Sequence, residues 1–447
     1  MGSTFIQRHG LWSAEQQDQA DKIAAQVTEQ GLRQVRVAWG DQHGILRGKT
    51  LEAGHFLSVL RNGKDFQTAT LIFDTTNNPA VPPFAADGFG DPRMTGLPPD
   101  GVLVPDPGTF RILPWLDKTG WVLCNLHYRS GEVVPPFDTR GILQSQLSQL
   151  KDEGWNFVAG IELEFYITKL EDPRLSFEQS GYPPDPPQVS AVSHGFQYLT
   201  ENRGDEITPI LDILRDNVVA LGLPLATVED EWGPPGQTEF TFEVMEGLQA
   251  ADSAILLRSA IKQLCRRNGH HATFMSRPAL PNAFSSGWHL HQSLGNTEVE
   301  NAFAGTADEV LSDTGRHWMA GLLEHARSCS VLSTPDRQRL QALPAGLVRP
   351  GPHRVGRGEP RRADPRRRWS WRLEHPPGEP RRRAGREPVP VPGLPGHLGP
   401  RRSAQQARPG PPLGRRAVPG RGRAPAGLPR GVDRALQEEQ PAALRAR

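Results

Sequence analysis

The stretch FVAGIELEFYIT, residues 157–168, alternates acidic and apolar side chains over a length typical of a β-strand. Side chains two positions apart share one face of a strand, so Glu162 and Glu164 lie on one face and the apolar residues between them on the other. This alternation is typical of an antiparallel sheet that has one buried face and one polar face. The same pattern returns in TEFTFEV (238–244) and in GWHLHQSL (287–294).

The polar faces of these segments carry side chains of the types that serve as metal ligands in proteins. Glu239 lies on the second segment, while His289, His291 and Ser293 share one face of the third. Glu231 belongs to an acidic loop, VEDEWGPPGQ, just ahead of the second segment. A single Glu-x-Glu or His-x-His pair is more typical of a solvated surface. Carboxylates that converge from several strands need a counter-charge, and carboxylates with an occasional imidazole favour Mg²⁺ or Mn²⁺.

Length and composition restrict the class of protein. A chain of 447 residues has the length of two or three domains, and a net charge of +1 gives no overall field that favours nucleic acid or membranes. The three cysteines are widely separated and form no CxxC pair, which favours a reducing, cytoplasmic location. We expect neither a signal peptide nor a membrane-spanning segment, because no suitable apolar run is present.

Helix and strand patterns divide the chain into three parts. Residues 1–130 predict an N-terminal helix, capped by Ser13, and a small β-rich domain. Residues 131–335 alternate helices with strands, which predicts an α+β domain built on an antiparallel sheet. Residues 336–447 contain no Lys, Asn, Thr, Ile, Met, Phe, Tyr or Cys and are rich in Arg, Pro, Gly and Ala. Such a tail buries little apolar surface, so we expect it to be disordered.

Six motifs resemble, in order and spacing, those of the glutamine synthetase family. Three are GIELEF (160–165), GPPGQTEF (233–240) and SSGWHLHQSL (285–294), and the others are DQHGILRGK, FDTT and PDPGTFRILPW in the N-terminal part. The resemblance covers roughly residues 15–335. It implies an N-terminal β-grasp domain and a catalytic domain with a curved antiparallel sheet. It also implies a homo-oligomeric ring whose active sites lie between neighbouring subunits.

The activity implied by the resemblance is the ATP-dependent synthesis of glutamine. ATP phosphorylates the γ-carboxylate of glutamate, ammonia attacks the acyl phosphate, and Mg²⁺ or Mn²⁺ ions organise the phosphates. The sequence has no glycine-rich phosphate loop of the GxxxxGK[ST] type. Metal ions and dispersed side chains are therefore expected to hold the nucleotide.

The family's cation ligands carry over to five side chains of this sequence. The resemblance implies that Glu164, Glu231 and Glu239 hold one cation. It implies that Glu162 and His289 hold a second cation, together with a further Glu from later in the chain. Residues 157–168 are therefore expected to supply one ligand to each ion, Glu164 to the first and Glu162 to the second.

Three further side chains are expected to act on the substrates. His291 and Ser293 are expected to contact ATP, and Asp74 of FDTT to help deprotonate ammonium from across a subunit boundary. An Asp in that motif also fits a simple turn cap. The sequence departs from the family where Phe284 and Ser285 stand in place of the usual Asn-Gly that contacts glutamate. These departures put the amino-acid substrate in question, and some members of the family join glutamate to polyamines or other amines instead of ammonia.

The composition of residues 336–447 is explained by translation in a wrong reading frame. The family continues with motifs close to NGYKR, ENRG and NPYLYLASQ. Residues 337–343, RQRLQAL, can be encoded so that a one-base shift gives VNGYKR. The same shift turns residues 356–361 into AVENR and residues 387–397 into NPYLYLASQV. We therefore infer that one base was gained near residues 334–336, and we call residues 336–447 the off-frame segment.

Three functions remain open from the sequence. The first is ligation of glutamate to ammonia, impaired in this chain by the off-frame segment. The second is synthesis of a γ-glutamyl-polyamine or another γ-glutamyl-amine by the same chemistry. The third is a catalytically dead binding protein whose arginine runs contact nucleic acid through its phosphates, which the balanced overall charge does not favour.

Overall fold

The structure is a computed structural model. It describes the following residues: 3–80, 82, 100–132, 138–174, 176–181, 184–233, 235–306 and 309–333. All of them belong to the first of two compact units, Met1–Pro380. The second unit, Arg381–Arg447, lies outside the described residues, and so does the tail for which the sequence predicts disorder and a wrong reading frame.

The described residues of the N-terminal part form a six-stranded sheet and three α-helices. The strands are β1 Gln34–Gly40, β2 Leu46–Glu52, β3 Lys64–Gln67, β4 Asp100–Pro105, β5 Arg111–Ile112 and β6 Thr119–Tyr128. Their order is β2-β1-β6-β4-β3 with β5 beside β6, and β1 and β6 run parallel to each other. The helices are α1 Phe5–His9, α2 Ala14–Glu29 and α3 Ala53–Asn62.

Helix α2 begins where its capping residue predicts. The Ser13 hydroxyl accepts a hydrogen bond from the Gln16 N–H at 3.2 Å, and the Gln16 side chain accepts one from the Ser13 N–H at 3.1 Å. This reciprocal pair satisfies two amide groups that have no partner within the helix. Gly31, with a φ of 59°, follows the end of the helix. The helix predicted from the Ser13 cap is therefore confirmed.

The second sheet is built around one long strand, which contains residues 157–168. Its strands are β7 Asn156–Leu170, β8 Val189–Ser190, β9 Leu225–Asp230, β10 Gln237–Phe242, β11 Met245–Glu246, β12 His270–Thr273 and β13 Trp288–Gly295. Strand β7 pairs antiparallel with β8, β10, β11, β12 and β13, and β9 pairs with β10. The α+β class and the antiparallel sheet are therefore confirmed.

One local prediction is wrong. The sequence pattern places Glu229 and Asp230 in a loop with Glu231, but both residues lie at the end of strand β9. Glu229 is opposite Glu239 and Asp230 is opposite Thr238 in the pairing with β10. Pairing with a neighbouring strand decides the conformation of this acidic segment, because strand formation depends more on cross-strand contacts than on local propensity.

The apolar face of the second sheet packs against two helices. The helices of this part are α4 Thr139–Asp152, α5 Glu201–Gly204, α6 Thr208–Ala220, α7 Gln249–Arg267 and α8 Asp313–Ser333. Phe165 and Phe240 are fully buried with ring centroids 5.4 Å apart, and Leu214 of α6 and Leu257 of α7 belong to the same core. Burial of each such side chain contributes about 1.5–3 kcal/mol. None of the described helices is both long and apolar enough to span a bilayer.

A buried arginine links the N-terminal part to helix α7, which packs on the second sheet. Arg140 of α4 donates to Asp252 of α7 at 2.7 Å and to Asp106, after β4, at 2.7 Å, and it also contacts Asn125 of β6. Its side chain is only 11% exposed, and those of Asp106 and Asp252 are 12% and 18% exposed. We expect Arg140→Leu to lower the free energy of unfolding by about 3–5 kcal/mol, because two buried carboxylates lose their counter-charge.

Urea denaturation measures this effect. The matched control is Arg215→Leu, since Arg215 is 51% exposed and pairs only with exposed Asp212 and Asp216 among the described residues. The control is expected to change stability by less than about 1 kcal/mol. Equal effects of the two substitutions would contradict the linking role of Arg140.

Candidate active site

Strand register brings the predicted ligands together on the polar face of the second sheet. Glu162 of β7 lies opposite His289 of β13, and Glu164 of β7 lies opposite Glu239 of β10. Glu231 follows β9, and its N–H donates to the Gln237 carbonyl at 3.0 Å, which holds it beside β10. These side chains share a face because the opposite face of the same strands is covered by the helices.

The five side chains form two overlapping groups. Glu164, Glu231 and Glu239 offer oxygen atoms within 4.8 Å of one another, and so do the ligand atoms of Glu162, Glu239 and His289. We call these five residues the acidic centre. Glu239 belongs to both groups, whereas the resemblance assigns it to one cation only.

The electrostatics of the acidic centre favour a bound cation. Burial and the neighbouring Glu239 raise the pKa of Glu164, and burial together with Glu164 raises the pKa of Glu231 to about 7. A hydrogen bond to Glu162 (2.9 Å) and the Glu239 carboxylate, whose Oε1 is 3.6 Å from His289 Nδ1, raise the pKa of His289 to about 10. Oε1 of Glu239 is buried without a hydrogen-bond partner among the described residues. Oxygen donors in such numbers fit Mg²⁺ or Mn²⁺, which would relieve the repulsion between the carboxylates.

Two neighbours that the sequence did not single out hold Glu164 in place. The side-chain amide of Gln237 donates to Glu164 Oε2 at 2.8 Å, and the backbone N–H of Glu164 donates to the Gly287 carbonyl at 3.0 Å. Gln237 is visible in the sequence only as part of the GPPGQTEF motif. Its contact with Glu164 depends on the pairing of two strands that are about 70 residues apart.

Because Gly287 has no side chain, Glu164 and His289 can occupy the space beside it. A β-carbon at this position would lie 2.6 Å from Glu164 Oε1 and 2.6 Å from His289 Nε2. We expect Gly287→Ala to displace both ligands and to weaken Mn²⁺ binding by at least about tenfold, the scale seen when the surroundings of metal ligands change. Titration followed by Mn²⁺ electron paramagnetic resonance measures the affinity.

The control for this substitution is Gly54→Ala, because a β-carbon on Gly54 has no described atom within 4 Å. We expect the control to bind Mn²⁺ as the unchanged chain does. Unchanged affinity in Gly287→Ala would show that the acidic centre is not the Mn²⁺ site.

The predicted ATP contacts continue along β13 from the acidic centre. His291 lies opposite Gly160, and its Nε2 is 3.0 Å from Glu162 Oε1. That approach is not aligned as a hydrogen bond, so both ring nitrogens of His291 are buried without a hydrogen-bond partner among the described residues. Ser293 lies two residues further along, opposite Val158. His291 adjoins the centre, and Ser293 extends the same polar face.

Asp74 lies in the N-terminal part and is a member of neither group. Its Oδ1 accepts hydrogen bonds from the Thr76 N–H (2.8 Å), the Thr76 hydroxyl (2.7 Å) and the Asn78 N–H (3.0 Å). The Thr76 hydroxyl, followed by the Asn78 amide, lowers the pKa of Asp74. This geometry is that of a turn cap. The role of Asp74 in a neighbouring subunit's site stays a prediction.

Comparison with known proteins establishes the family. The family described as glutamine synthetase, catalytic domain, matches residues 136–343. A γ-glutamylanilide synthase from Acinetobacter is 44% identical over 340 residues, covering 74% of this chain and 67% of the relative. A glutamate–isopropylamine ligase from Pseudomonas is 28% identical over 72% of this chain and 68% of the relative. A glutamine synthetase from Archaeoglobus fulgidus is 27% identical over 74% and 70%.

A solved structure supports the same fold. The structure described as apo GmaS without ligand has a TM-score of 0.58 and 22% identity, covering 72% of this chain and 68% of that one. The family match and the 44% identical relative show that the chain belongs to the glutamine synthetase family. By family it is a ligase that forms a carbon–nitrogen amide bond from glutamate and an amine.

Proposed function

We propose that this chain derives from a γ-glutamyl-amine ligase whose acceptor is an organic primary amine. The observation that carries the ligase chemistry is the acidic centre, in which two groups of cation ligands share Glu239. The choice of acceptor is supported by relatives named for γ-glutamylanilide and for isopropylamine. Ammonia, the acceptor of a glutamine synthetase, is the alternative, and the relative from Archaeoglobus fulgidus carries that name.

The proposed reaction has two steps. An oxygen of the glutamate γ-carboxylate attacks the γ-phosphorus of ATP, and ADP leaves. The amine lone pair then attacks the γ-carbonyl carbon, the bond from that carbon to the phosphate oxygen breaks, and inorganic phosphate leaves as the nitrogen loses a proton to a base. Mg²⁺ or Mn²⁺, when bound, neutralises the charge of the transferring phosphoryl group.

The residues of this chain have distinct roles in the proposal. Glu164, Glu231 and Glu239 bind one cation, and Glu162, His289 and the shared Glu239 bind the other. Two residues of β13 contact ATP beyond them, namely His291 and Ser293. Asp74 accepts the proton that the acceptor amine loses, across a boundary between subunits of a homo-oligomeric ring. In this proposal the six-stranded sheet is the β-grasp domain of the family, and the free cysteines fit a cytoplasmic location.

The off-frame segment is part of the same proposal. The family match ends at residue 343, within eight residues of the inferred break near residue 335. The Acinetobacter relative is matched over only 67% of its length, although this chain continues to residue 447. The lost frame would encode the further cation-binding Glu and the arginines that the family places around the transferred phosphate. The chain as written is therefore an inactive form of the ligase.

An amine panel tests the choice of acceptor. The coding sequence with one base removed near codon 335 is expressed, and amide formation is measured with ATP, glutamate and either ammonia, methylamine, isopropylamine, aniline or putrescine. We expect kcat/KM with an organic amine to exceed that with ammonia by at least about tenfold, the contribution of a few apolar contacts. Use of ammonia alone would restore the glutamine synthetase alternative, and no amide with any acceptor would refute the ligase.

A further inference from the structure

Three aromatic side chains meet beside the acidic centre. The rings of Trp232 and Phe284 stack at 5.2 Å with an angle of 25° between their planes. Phe196 stands edge-on to both, at 6.4 Å from Trp232 and 5.7 Å from Phe284. Offset stacking and edge-to-face contacts are the favourable geometries for aromatic pairs. We call these three residues the aromatic trio.

The aromatic trio is open on one side. Trp232 is 58% exposed and Phe196 is 52% exposed, whereas Phe284 is half-buried. Large aromatic side chains that are exposed together disfavour solubility, and such patches usually mark a binding site. The exposed ring faces are therefore available to a ligand.

Short connections fix the aromatic trio to the acidic centre. Trp232 directly follows Glu231, and its backbone N–H donates to Glu231 Oε2 at 3.2 Å. Next to Phe284, the Ser285 carbonyl accepts a hydrogen bond at 3.3 Å from Gln237, whose amide also donates to Glu164 at 2.8 Å. The rings thus lie next to two proposed cation ligands, where an acyl phosphate would form.

The backbone at Phe196 is held in an unfavourable conformation. Its φ is 59°, in the left-handed region that residues other than Gly, Asn and Asp rarely adopt. A hydrogen bond from the Phe196 N–H to the Gly233 carbonyl, at 2.9 Å, keeps it beside the Trp232 loop. Strain of this kind persists where the surrounding structure requires it and concentrates at functional sites. The strained backbone positions the third ring of the aromatic trio.

We propose that the aromatic trio is the acceptor subsite and that it selects a flat arylamine. This inference rests on the proposed ligase function. An aryl ring stacks on the exposed faces of these three aromatic rings and brings no charge into contact with them. An arylamine is uncharged at neutral pH, because its lone pair is delocalised into the ring, so it attacks the acyl phosphate without first losing a proton. The single proton released on amide formation passes to a base after the carbon–nitrogen bond forms.

A cationic alkylamine is the competing ligand, because aromatic faces also attract cations. Fluorine NMR separates the two on the full 447-residue chain, with 4-fluoroaniline as the observed ligand and cyclohexylamine, which is similar in size but protonated, as the competitor. We expect line broadening of 4-fluoroaniline that excess aniline reverses and an equal excess of cyclohexylamine does not. Trp232→Ala and Phe284→Asn should each weaken binding by about tenfold, the scale of one aromatic contact.

The control is Phe177→Ala, because Phe177 is a 94% exposed aromatic residue outside the aromatic trio. It should bind 4-fluoroaniline as the unchanged chain does. If cyclohexylamine displaces 4-fluoroaniline, the aromatic trio binds an alkylammonium ion and the arylamine proposal is wrong. Absence of broadening, or equal binding by all variants, would overturn the proposal.

A second measurement keeps this inference separate from the proposed function. In the chain with the restored frame, Trp232→Ala and Phe284→Asn should lower the ratio of kcat/KM for aniline to that for ammonia by at least about tenfold. If amide forms but the ratio is unchanged, the ligase function stands and the aromatic trio serves packing against the restored segment. If no variant forms amide, the ligase proposal fails, while the NMR result still decides whether the aromatic trio binds arylamines.

Discussion

Replacing Glu239 with Gln is expected to weaken Mn²⁺ binding at both candidate cation sites together. Glu239 is the residue shared by the two groups, and its Oε1 is buried without a hydrogen-bond partner among the described residues. An amide cannot supply the second negative oxygen, so we expect the affinity to fall by at least about 100-fold, the upper end of effects measured when only the surroundings of a ligand change. Calorimetric titration of the full chain with Mn²⁺ measures both the affinity and the number of sites.

The same substitution has the opposite effect on the metal-free protein. The neighbouring Glu239 carboxylate contributes to the raised pKa values of Glu164 and Glu231, which reflects repulsion in the folded state. Removing that charge relieves repulsion with two carboxylates and loses one favourable contact, that of 3.6 Å with His289 Nδ1, so the melting temperature in EDTA should be unchanged or higher. If Glu239 served only to stabilise the fold, Glu239→Gln would lower the melting temperature in EDTA.

The control is Glu243→Gln, which removes an exposed carboxylate just beyond the same strand. It should alter neither Mn²⁺ affinity nor melting temperature. Loss of only one of two Mn²⁺ sites in Glu239→Gln would restore the assignment of Glu239 to a single cation, as the family resemblance has it.

The sequence predicted the components of the centre but not their distances. Alternation in residues 157–168 placed Glu162 and Glu164 on one face, and the structure confirms this because Phe165 and its apolar neighbours pack against helices. Glu162 lies opposite His289 because two strands that are more than 120 residues apart in the sequence pair with each other, and no local pattern specifies that pairing. The double use of Glu239 follows from the same pairings.

The aromatic trio was only partly visible in the sequence. Phe284 departs from the family motif, and Trp232 lies next to a predicted cation ligand. Phe196 gave no signal, because it belongs to a loop whose left-handed backbone conformation is imposed by tertiary contacts such as that with Gly233. Glu229 and Asp230 were misplaced for the same reason: their strand forms by pairing with β10.

Restoring the reading frame is expected to have the largest effect on activity. Helix α8 ends at Ser333, and Val331 and Leu332 near its end are 68% and 81% exposed. An in-frame continuation would supply apolar partners for them, together with the further cation ligand and the arginines. Losing a single group that stabilises the transition state costs about 10²–10³ in kcat, so we expect the loss of several to make the chain inactive.

We therefore expect the chain with one base removed near codon 335 to form amide at least about 10³ times faster than the chain as written. The measurement is phosphate release that depends on both glutamate and amine. Glu239→Gln in the restored chain is the control, because it should remove the activity and so exclude a contaminating ligase. Equal rates for the two frames would show that residues 336–447 complete the enzyme as they stand. Sequencing of the gene around codon 335 is the independent test, because without an extra base there the basic tail is the native C-terminal segment.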